Sequence, residues 1–551
     1  MPHRPDDAPA VLRELRLLDG PNLYFSRAAC KVVLDVGELL ALPEDALRSR
    51  FPADVPARAG APGSEVRARV LARLLVGLTR RIARTAGVTR LAVRSRPGPE
   101  QGELTVAFPW RRRGLARALG AALATALDGS SPDLAGVDPG PAPTTPRPRI
   151  PVVAVTGTNG KTTTTRLVAH MSRAAGNVTG WSSTDGVYVD GEVLEEGDWS
   201  GYGGAGRILA DPRVQLAVLE TARGGLLLRG AGALHNDVSV VTNVSADHLG
   251  QQGIRTVDDL AEVKAVVPRI TREGGWCVLN AQDPRALAMR AVSRGRPWVF
   301  SLDPGAPGVR AALDGHGRAM TVMDDAITLL AERGVVDPLI PLADVPMTLS
   351  GLSRHDVANA LAGTAAGLAI GLPRESVLQG LRTFTAQDNL GRMNLWDVGG
   401  CVVSLDLAHN EDSLAALLSV VRGLRRPGGR VVTVLGTGGD RLDDQLREMG
   451  HLAQHGSDEV VIAVKSAYLR GRSPAEMVAR LREGAGDVPA YDDEVTALTS
   501  ALLGRKPGDA VALMCHQDRA GCEQVLLAAG GVRMGPKQVR ERVLAARAPA
   551  S

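Results

Sequence analysis

Residues 152–165 read V-V-A-V-T-G-T-N-G-K-T-T-T-T: an apolar run, a glycine-bearing turn, a lysine and a file of hydroxyls. The pattern predicts strand, loop and helix, an arrangement that cradles phosphate. Gly157 and Gly160 let backbone amides approach anionic oxygens, and the following helix begins with unpaired N–H groups aimed at them. The candidate nucleotide contacts are Thr158, Asn159, Gly160, Lys161, Thr162 and Thr163. Lys161 is expected to reach the β- and γ-phosphates, and the Thr162 hydroxyl to hold Mg²⁺. Val155 stands where the strict phosphate-loop pattern has its first glycine, so the expectation rests on the strand–loop–helix context and on Gly-Lys-Thr-Thr.

Acids and a histidine follow at later strand ends. The apolar run 216–219 stops at Glu220, in L-E-T-A-R-G-G. A carboxylate at the carboxyl end of a strand, downstream of a phosphate loop, suits a Mg²⁺ ligand; the plainer alternative is an exposed strand-end acid. The run 238–242 leads into N-V-S-A-D-H-L-G and brings Asp247 and His248 to the same rim, where His248 could bind a second metal ion. Lys264 lies on the next helical stretch, 258–267. Only six of the 64 Lys plus Arg residues are lysine: Lys31, Lys161, Lys264, Lys465, Lys506 and Lys537. A chain that uses arginine wherever a cation suffices keeps lysine where a compact or modifiable amine is needed. Lys465, Lys506 and Lys537 are expected on the surface, retained by chance.

The elements that must position these groups form an α/β pattern from residue 152 onward: short valine-rich runs, a loop, then a helix. Strands are expected at 152–156, 216–219, 238–242, 277–279, 402–405, 431–435 and 460–464, with helices at 357–370 and 413–424 among others. Two sheets are expected, dividing near 385–392. Ahead of them, G-V-D-P-G-P-A-P-T-T-P-R-P-R-I (136–150) reads as a semi-rigid linker. It closes a smaller α/β region with strands near 31–36 and 104–108 and arginine-rich amphipathic helices at 65–87 and 114–127. Their basic faces read as solvated surface.

Composition sets the outer bounds. A length of 551 residues implies several domains, and with only 3% aromatics the cores must be built from Leu, Val and Ala. Formal net charge is +4 with both signs well mixed, which argues against a nucleic-acid partner. The first ten residues lack the apolar core of a secretory signal, and no apolar run reaches the 18 or so residues of a membrane span. Five scattered cysteines suit a reducing cytoplasm. Cys515-His516 with Cys522 offers too few partners for a metal site, and no C-x2-C pair is present.

Together these motifs resemble the Mur ligase family, from about residue 152 to the C-terminus. L-E-T-A-R-G-G-L-L-L-R-G (219–230), T-N-V-S-A-D-H-L-G (242–250) and D-N-L-G-R-M-N-L-W-D-V (388–398) resemble the ligase half of cyanophycin synthetases, and L-L-D-G-P-N-L-Y (17–24) resembles the opening of their N-terminal domain. The resemblance implies three domains: a small N-terminal α/β domain (1–147), a central phosphate-loop ATPase-like domain (148–387) and a Rossmann-like C-terminal domain (388–551). It implies an ATP- and Mg²⁺-dependent ligase that joins a small-molecule or peptide carboxylate to an amino acid or amine through an acyl phosphate, releasing ADP and phosphate.

Several residue roles come only from this resemblance. Lys264 matches a lysine that is often carbamylated to serve as an extra carboxylate near Mg²⁺. Asn280 and Asp283 match a nucleotide-domain motif, and His355 and Asn359 match residues approaching the ATP base and ribose. Arg392 matches an arginine near the phosphates. D-L-A-H-N-E (406–411) resembles D-Y-A-H-N-P, with His409 and Asn410 at the closing interface; Leu407 and Glu411 depart from it. G-T-G-G-D-R (436–441) resembles a turn after the second C-terminal strand. The expected catalytic set is Lys161, His248, Lys264, Arg392 and His409; the expected metal set is Thr162, Glu220, His248 and carbamylated Lys264. Cyanophycin synthetases carry an ATP-grasp domain ahead of the ligase part, and here the linker leads directly into the phosphate loop. Competing readings are a folylpolyglutamate- or peptidoglycan-precursor-type ligase and a catalytically silent, ATP-responsive scaffold. Neither the substrates nor a homo-oligomeric state can be read from the residues.

Overall fold

The computed structural model describes residues 10–247 and 249–547. Three sheets organise the chain. The first holds β1 (Val11–Leu18), β2 (Ala29–Asp35), β3 (Arg94–Pro97) and β4 (Glu103–Pro109), antiparallel in the order β1-β2-β4-β3. One face packs on the helices Glu65–Thr85 and Arg113–Leu127 through Val32, Leu34, Val106, Leu71 and Leu123. Arg67 departs from the solvated basic face that the sequence suggests. It is fully buried and donates to the carbonyls of Ala59, Leu42 and Gly60, because its fork can satisfy three backbone acceptors that a core aliphatic would strand.

The central sheet is built around β5 (Val152–Thr156), flanked by β9 (Leu216–Glu220) and β10 (Asn236–Val241) in parallel. Parallel pairing extends through β11 (Thr271–Asn280), β12 (Arg296–Ser301) and β13 (Arg318–Met323) on one side and β6 (Thr179–Ser183) on the other. Antiparallel edges finish it: β7 (Gly186–Val189) with β8 (Glu192–Glu196), and β14 (Ala326–Ala331) with β15 (Val335–Pro341). These edge hairpins lie beyond the strands expected from sequence, since their exposed faces dilute the apolar runs. Every residue of β5 is buried, as a central parallel strand covered on both faces requires.

The third sheet has the order β20-β19-β18-β21-β17-β16-β22, made of β16 (Asn394–Val398), β17 (Cys401–Asp406), β18 (Val431–Leu435), β19 (Glu459–Ala463), β20 (Ala490–Tyr491), β21 (Ala510–Met514) and β22 (Val532–Arg533). It is parallel except for β16, which runs antiparallel to β17 and β22. The second and third sheets part between the helix Arg374–Thr383 and β16. No helix among the described residues is long and apolar enough to cross a membrane.

Two expectations need correction. The proline-rich stretch, expected as a semi-rigid linker, is a strap tied down along its length: Gly114 N–H donates to Pro139 O at 2.9 Å, Leu234 N–H to Pro146 O at 3.0 Å and Thr145 Oγ1 to Asp19 O at 2.6 Å. Prolines keep their carbonyl acceptors while losing their donors, which suits a strap bonded from outside. Lys465 is not on the surface. It is 2% exposed, with Nζ 2.5 Å from Glu494 and 2.6 Å from Met514 O; a buried carboxylate supplies the countercharge that burial demands. Lys506 and Lys537 are exposed.

L-L-D-G-P-N-L-Y docks the first domain onto the central one. Buried Asp19 takes Arg113 at 3.1 Å and Arg229 at 2.6 Å, and the amides of Asp19 and Gly20 donate to Arg229 O. A Cβ on Gly20 would lie 1.8 Å from Ala231 O, so only glycine permits this approach.

Candidate functional site

The phosphate loop joins β5 to the helix Lys161–Ala174. Its glycines are required by geometry. Gly157 has φ 150° and Gly160 φ 84°, and added Cβ atoms would lie 1.8 Å from Thr242 Oγ1 and 2.1 Å from Asn359 Oδ1. Thr242 Oγ1 donates to Asn159 O at 2.6 Å and Asn243 Oδ1 accepts from Asn159 N at 2.9 Å, so the end of β10 holds the loop open. Lys161 Nζ donates to Thr158 O at 2.9 Å.

Glu220 ends β9 beside this loop. It is 1% exposed; Oε2 accepts from Thr184 N–H at 3.4 Å, and Oε1 has no hydrogen-bond partner among the described residues. Burial pushes its carboxyl up, against the pull of Lys161, Thr162 and Arg392. Thr162 Oγ1 stands 3.2 Å from Thr184 Oγ1 and receives Arg392 Nη2 at 3.5 Å. An orphaned carboxylate oxygen beside a threonine hydroxyl is the hard-oxygen donor set that Mg²⁺ takes, so the residues fit that ion. Lys264 is 3% exposed and donates to Gly157 O at 2.6 Å. Burial, then Lys161, lowers its pKa to about 7.

The C-terminal domain closes the other side. Asn159 and Asn410 exchange side-chain amide hydrogen bonds at 3.4 and 3.2 Å, and Arg441 pairs with Asp247. His409 is driven by burial to a pKa of about 4; Nδ1 lies 3.1 Å from Leu407 O, which fixes Nδ1 as the protonated nitrogen and leaves Nε2 an acceptor. Between the domains lies a cavity of about 260 Å³ walled by Thr158–Thr163, His355, Asn359, Arg392 and His409. An adjoining cavity of about 220 Å³ shares Asp356 and Arg392 and has Met347, Leu349 and Met393 in its walls.

Most candidates therefore converge, with two exceptions. Asn280 and Asp283 stand behind the loop: Asn280 Nδ2 donates to Thr242 O at 2.9 Å, and Asp283 accepts from Val244 N–H while capping the helix Pro284–Ala288. They brace the 242–244 segment. His248 lies outside the described residues. Sequence reasoning passed over several residues that the fold delivers to the site. Asp356 binds Ser353 Oγ at 2.6 Å and Asn359 Nδ2 at 3.3 Å. Asp406 is buried and accepts from Met393 N–H at 2.7 Å. Arg166 spans Asp185 at 2.6 Å and the carbonyl of Leu390 at 3.1 Å. Asp406, an acid closing a buried valine-rich strand, carried the same signature as Glu220.

Residues 155–367 match the Mur ligase middle domain and residues 391–516 the Mur ligase glutamate ligase domain, together more than half of the chain. A cyanophycin synthetase of Synechocystis sp. is 38% identical over 371 residues, covering 64% of this chain and 41% of that enzyme; the chain thus spans about two fifths of such relatives. A UDP-N-acetylmuramoyl-L-alanyl-D-glutamate–2,6-diaminopimelate ligase of Bacillus licheniformis is 25% identical, covering 66% of this chain and 73% of the relative. A folylpolyglutamate synthase/dihydrofolate synthase crystallised with Mn, AMPPNP and L-glutamate superposes with a TM-score of 0.50 at 17% identity, over 69% of this chain and 89% of that one. With the phosphate loop, the strand-end carboxylate and both domain matches in hand, the chain belongs to the Mur ligase family.

Proposed function

We propose that this chain is an ATP-dependent carbon–nitrogen ligase that activates a carboxylic acid as an acyl phosphate and transfers the acyl group to an amine. The observation that carries the reading is the buried Glu220, with Oε1 unpartnered among the described residues, beside Thr162 and Lys161 at the phosphate loop. Mg²⁺ held by Thr162 and Glu220 would supply positive charge to the β- and γ-phosphates. The triphosphate takes the 260 Å³ cavity and its base the adjoining one with methionine walls.

The acid's carboxylate oxygen attacks the γ-phosphorus and ADP leaves. Lys161 and Arg392 offset the charge that develops, the main need in phosphoryl transfer. The Asn159–Asn410 and Asp247–Arg441 contacts hold the C-terminal domain closed and keep water from the acyl phosphate. His409 offers Nε2 as an acceptor to the incoming amine, which displaces phosphate and leaves an amide. Lys264, with its pKa near 7, carries enough neutral amine at physiological pH to take up CO₂ as a carbamate. The N-terminal boundary near residue 147 is part of the same proposal, as are a small-molecule or peptide carboxylate and an amino acid or amine as the substrates. Cytoplasmic residence accords with five buried, free cysteines.

The test is co-dependence. ADP and phosphate should accumulate only when acid and amine, or acid and hydroxylamine, are both supplied. Lys161→Ala should abolish turnover with circular dichroism and melting temperature unchanged. Steady ATP hydrolysis without any carboxylate, or full turnover by Lys161→Ala, rejects the reading.

A further inference from the structure

The first domain's sheet has a second face, turned away from its helices. Glu14, Arg16, Lys31, Arg96 and Thr105 lie on it, and the central domain covers it with the 252–255 turn and the helix Val257–Lys264. A cavity of about 340 Å³ remains between them, room for a group of dipeptide size. Two interdomain ion pairs close its rim, Arg96–Glu262 at 3.2 Å and Arg255–Glu100 at 2.9 Å. All four side chains are well exposed, so the pairs hold weakly and a ligand can pass.

Two hydroxyls on this cavity make no hydrogen bond among the described residues. Tyr24 is 7% exposed and Thr105 2%, yet neither hydroxyl has a hydrogen-bond partner among the described residues, although both residues line the space. A hydroxyl on a cavity wall can donate to a ligand or accept from it. Burial raises the Tyr24 pKa to about 12, so it remains a donor. The surrounding charge has both signs: Arg16 and Lys31 on the sheet share the single carboxylate of Glu14 at 2.5 and 2.7 Å, which leaves one positive charge over, and on the facing helix Asp259 accepts the Arg255 and Thr256 amides while Glu262 holds Arg96. A nucleoside diphosphate would meet those acids as well as Glu14, a poor environment for a polyanion.

We propose that this interdomain cavity binds a zwitterionic, amino-acid-like group, its carboxylate toward Arg16 and Lys31, its cationic group toward Asp259 and Glu262, and the Tyr24 and Thr105 hydroxyls as anchors. The cavity is linked to the nucleotide site through the 251–252 segment and one helix. Gln251 bonds Asp440 at 3.3 Å on the catalytic side, and the next residue, Gln252, lines this cavity in a left-handed conformation (φ 54°). The helix whose Asp259 and Glu262 face the cavity ends in Lys264 at the phosphate loop. The group's source is either the distal part of the acid substrate or a separate amino acid.

The experiment titrates the full chain, without ATP, with glutamyl-lysine dipeptide in a calorimeter, and repeats the titration with glutarate, cadaverine and UDP. The dipeptide should bind more tightly than any singly charged-type probe. Tyr24→Phe/Thr105→Val should weaken it about tenfold, as expected for two lost hydrogen bonds, with melting temperature and AMPPNP affinity unchanged. If the group belongs to the acid, the same variant raises KM for the acid alone; if it is a separate amino acid, acid KM stays put and the dipeptide binds additively with substrate. Both results support the site. Equal binding by wild type and variant, no dipeptide binding, or preferential binding of UDP overturns it. Because binding is read without turnover, failure of the ligase reading leaves this test intact.

Discussion

Lys264 in the central domain and Lys465 at the end of β19 are buried to nearly the same degree, 3% and 2% exposed. Their surroundings differ. Among the described residues Lys264 bonds only a carbonyl, Gly157 O, beside the cations Lys161 and Arg223, with Asp247 acting against them. Lys465 sits 2.5 Å from Glu494, and that carboxylate also accepts the amides of His516, Gln517 and Asp518. His516 in turn bonds Ala408 O, next to His409. Burial alone therefore assigns no role. A buried amine with its own carboxylate is an anchor, whereas one left without a contacting carboxylate has an accessible neutral form and is available for chemistry.

The largest effect that would sharpen this contrast is structural. Lys465→Met leaves Glu494 buried and unpaired, and should cost about 3–5 kcal/mol in urea unfolding. The double change Lys465→Met/Glu494→Leu should recover most of that loss, because a paired buried charge replaced by apolar volume is near neutral. An undiminished midpoint in the single variant would break the comparison.

Lys264→Gln should do the reverse. It removes a buried cation that contacts no carboxylate among the described residues, so stability at pH 7 should hold or rise, while turnover falls about 10²–10³-fold, the usual loss when one preorganised electrostatic group is removed. A variant that unfolds rather than idles would place Lys264 with Lys465.

The remaining test lies in pH. Burial pushes the Glu494 carboxyl up, but Lys465 and the 516–518 amides outweigh it and bring the pKa to about 2, below the ordinary 4.5. Its stabilisation is complete above pH 4.5 and lost as pH falls toward 2. Lys264 is lowered from 10.5 to about 7, so the folded chain binds that proton more weakly than the unfolded chain does. Its penalty is full below about pH 7 and fades as pH rises toward 10.5. Urea titrations across pH should show both limbs. Lys264→Gln should flatten only the alkaline one, and loss of the acidic limb in that variant would contradict the assignment.

Local spacing carried the phosphate loop, Glu220 and the division into two sheets after residue 152, because a phosphate cradle is built from consecutive backbone groups and a parallel strand from consecutive apolar ones. The sequence also marked Lys264 as unusual through the scarcity of lysine. It could not separate Lys465 from exposed Lys506 and Lys537, since the partner that makes Lys465 an anchor is Glu494, brought to it by β19 and the helix Glu494–Leu502. Nor could it tell that Asn280 and Asp283 brace the loop from behind, or that Asp356, Asp406 and Arg166 reach its rim. Those are contacts between segments far apart in the chain. Burial and countercharge are properties of the folded surroundings, so only the tertiary structure decided which charged groups are posts and which are poised to react.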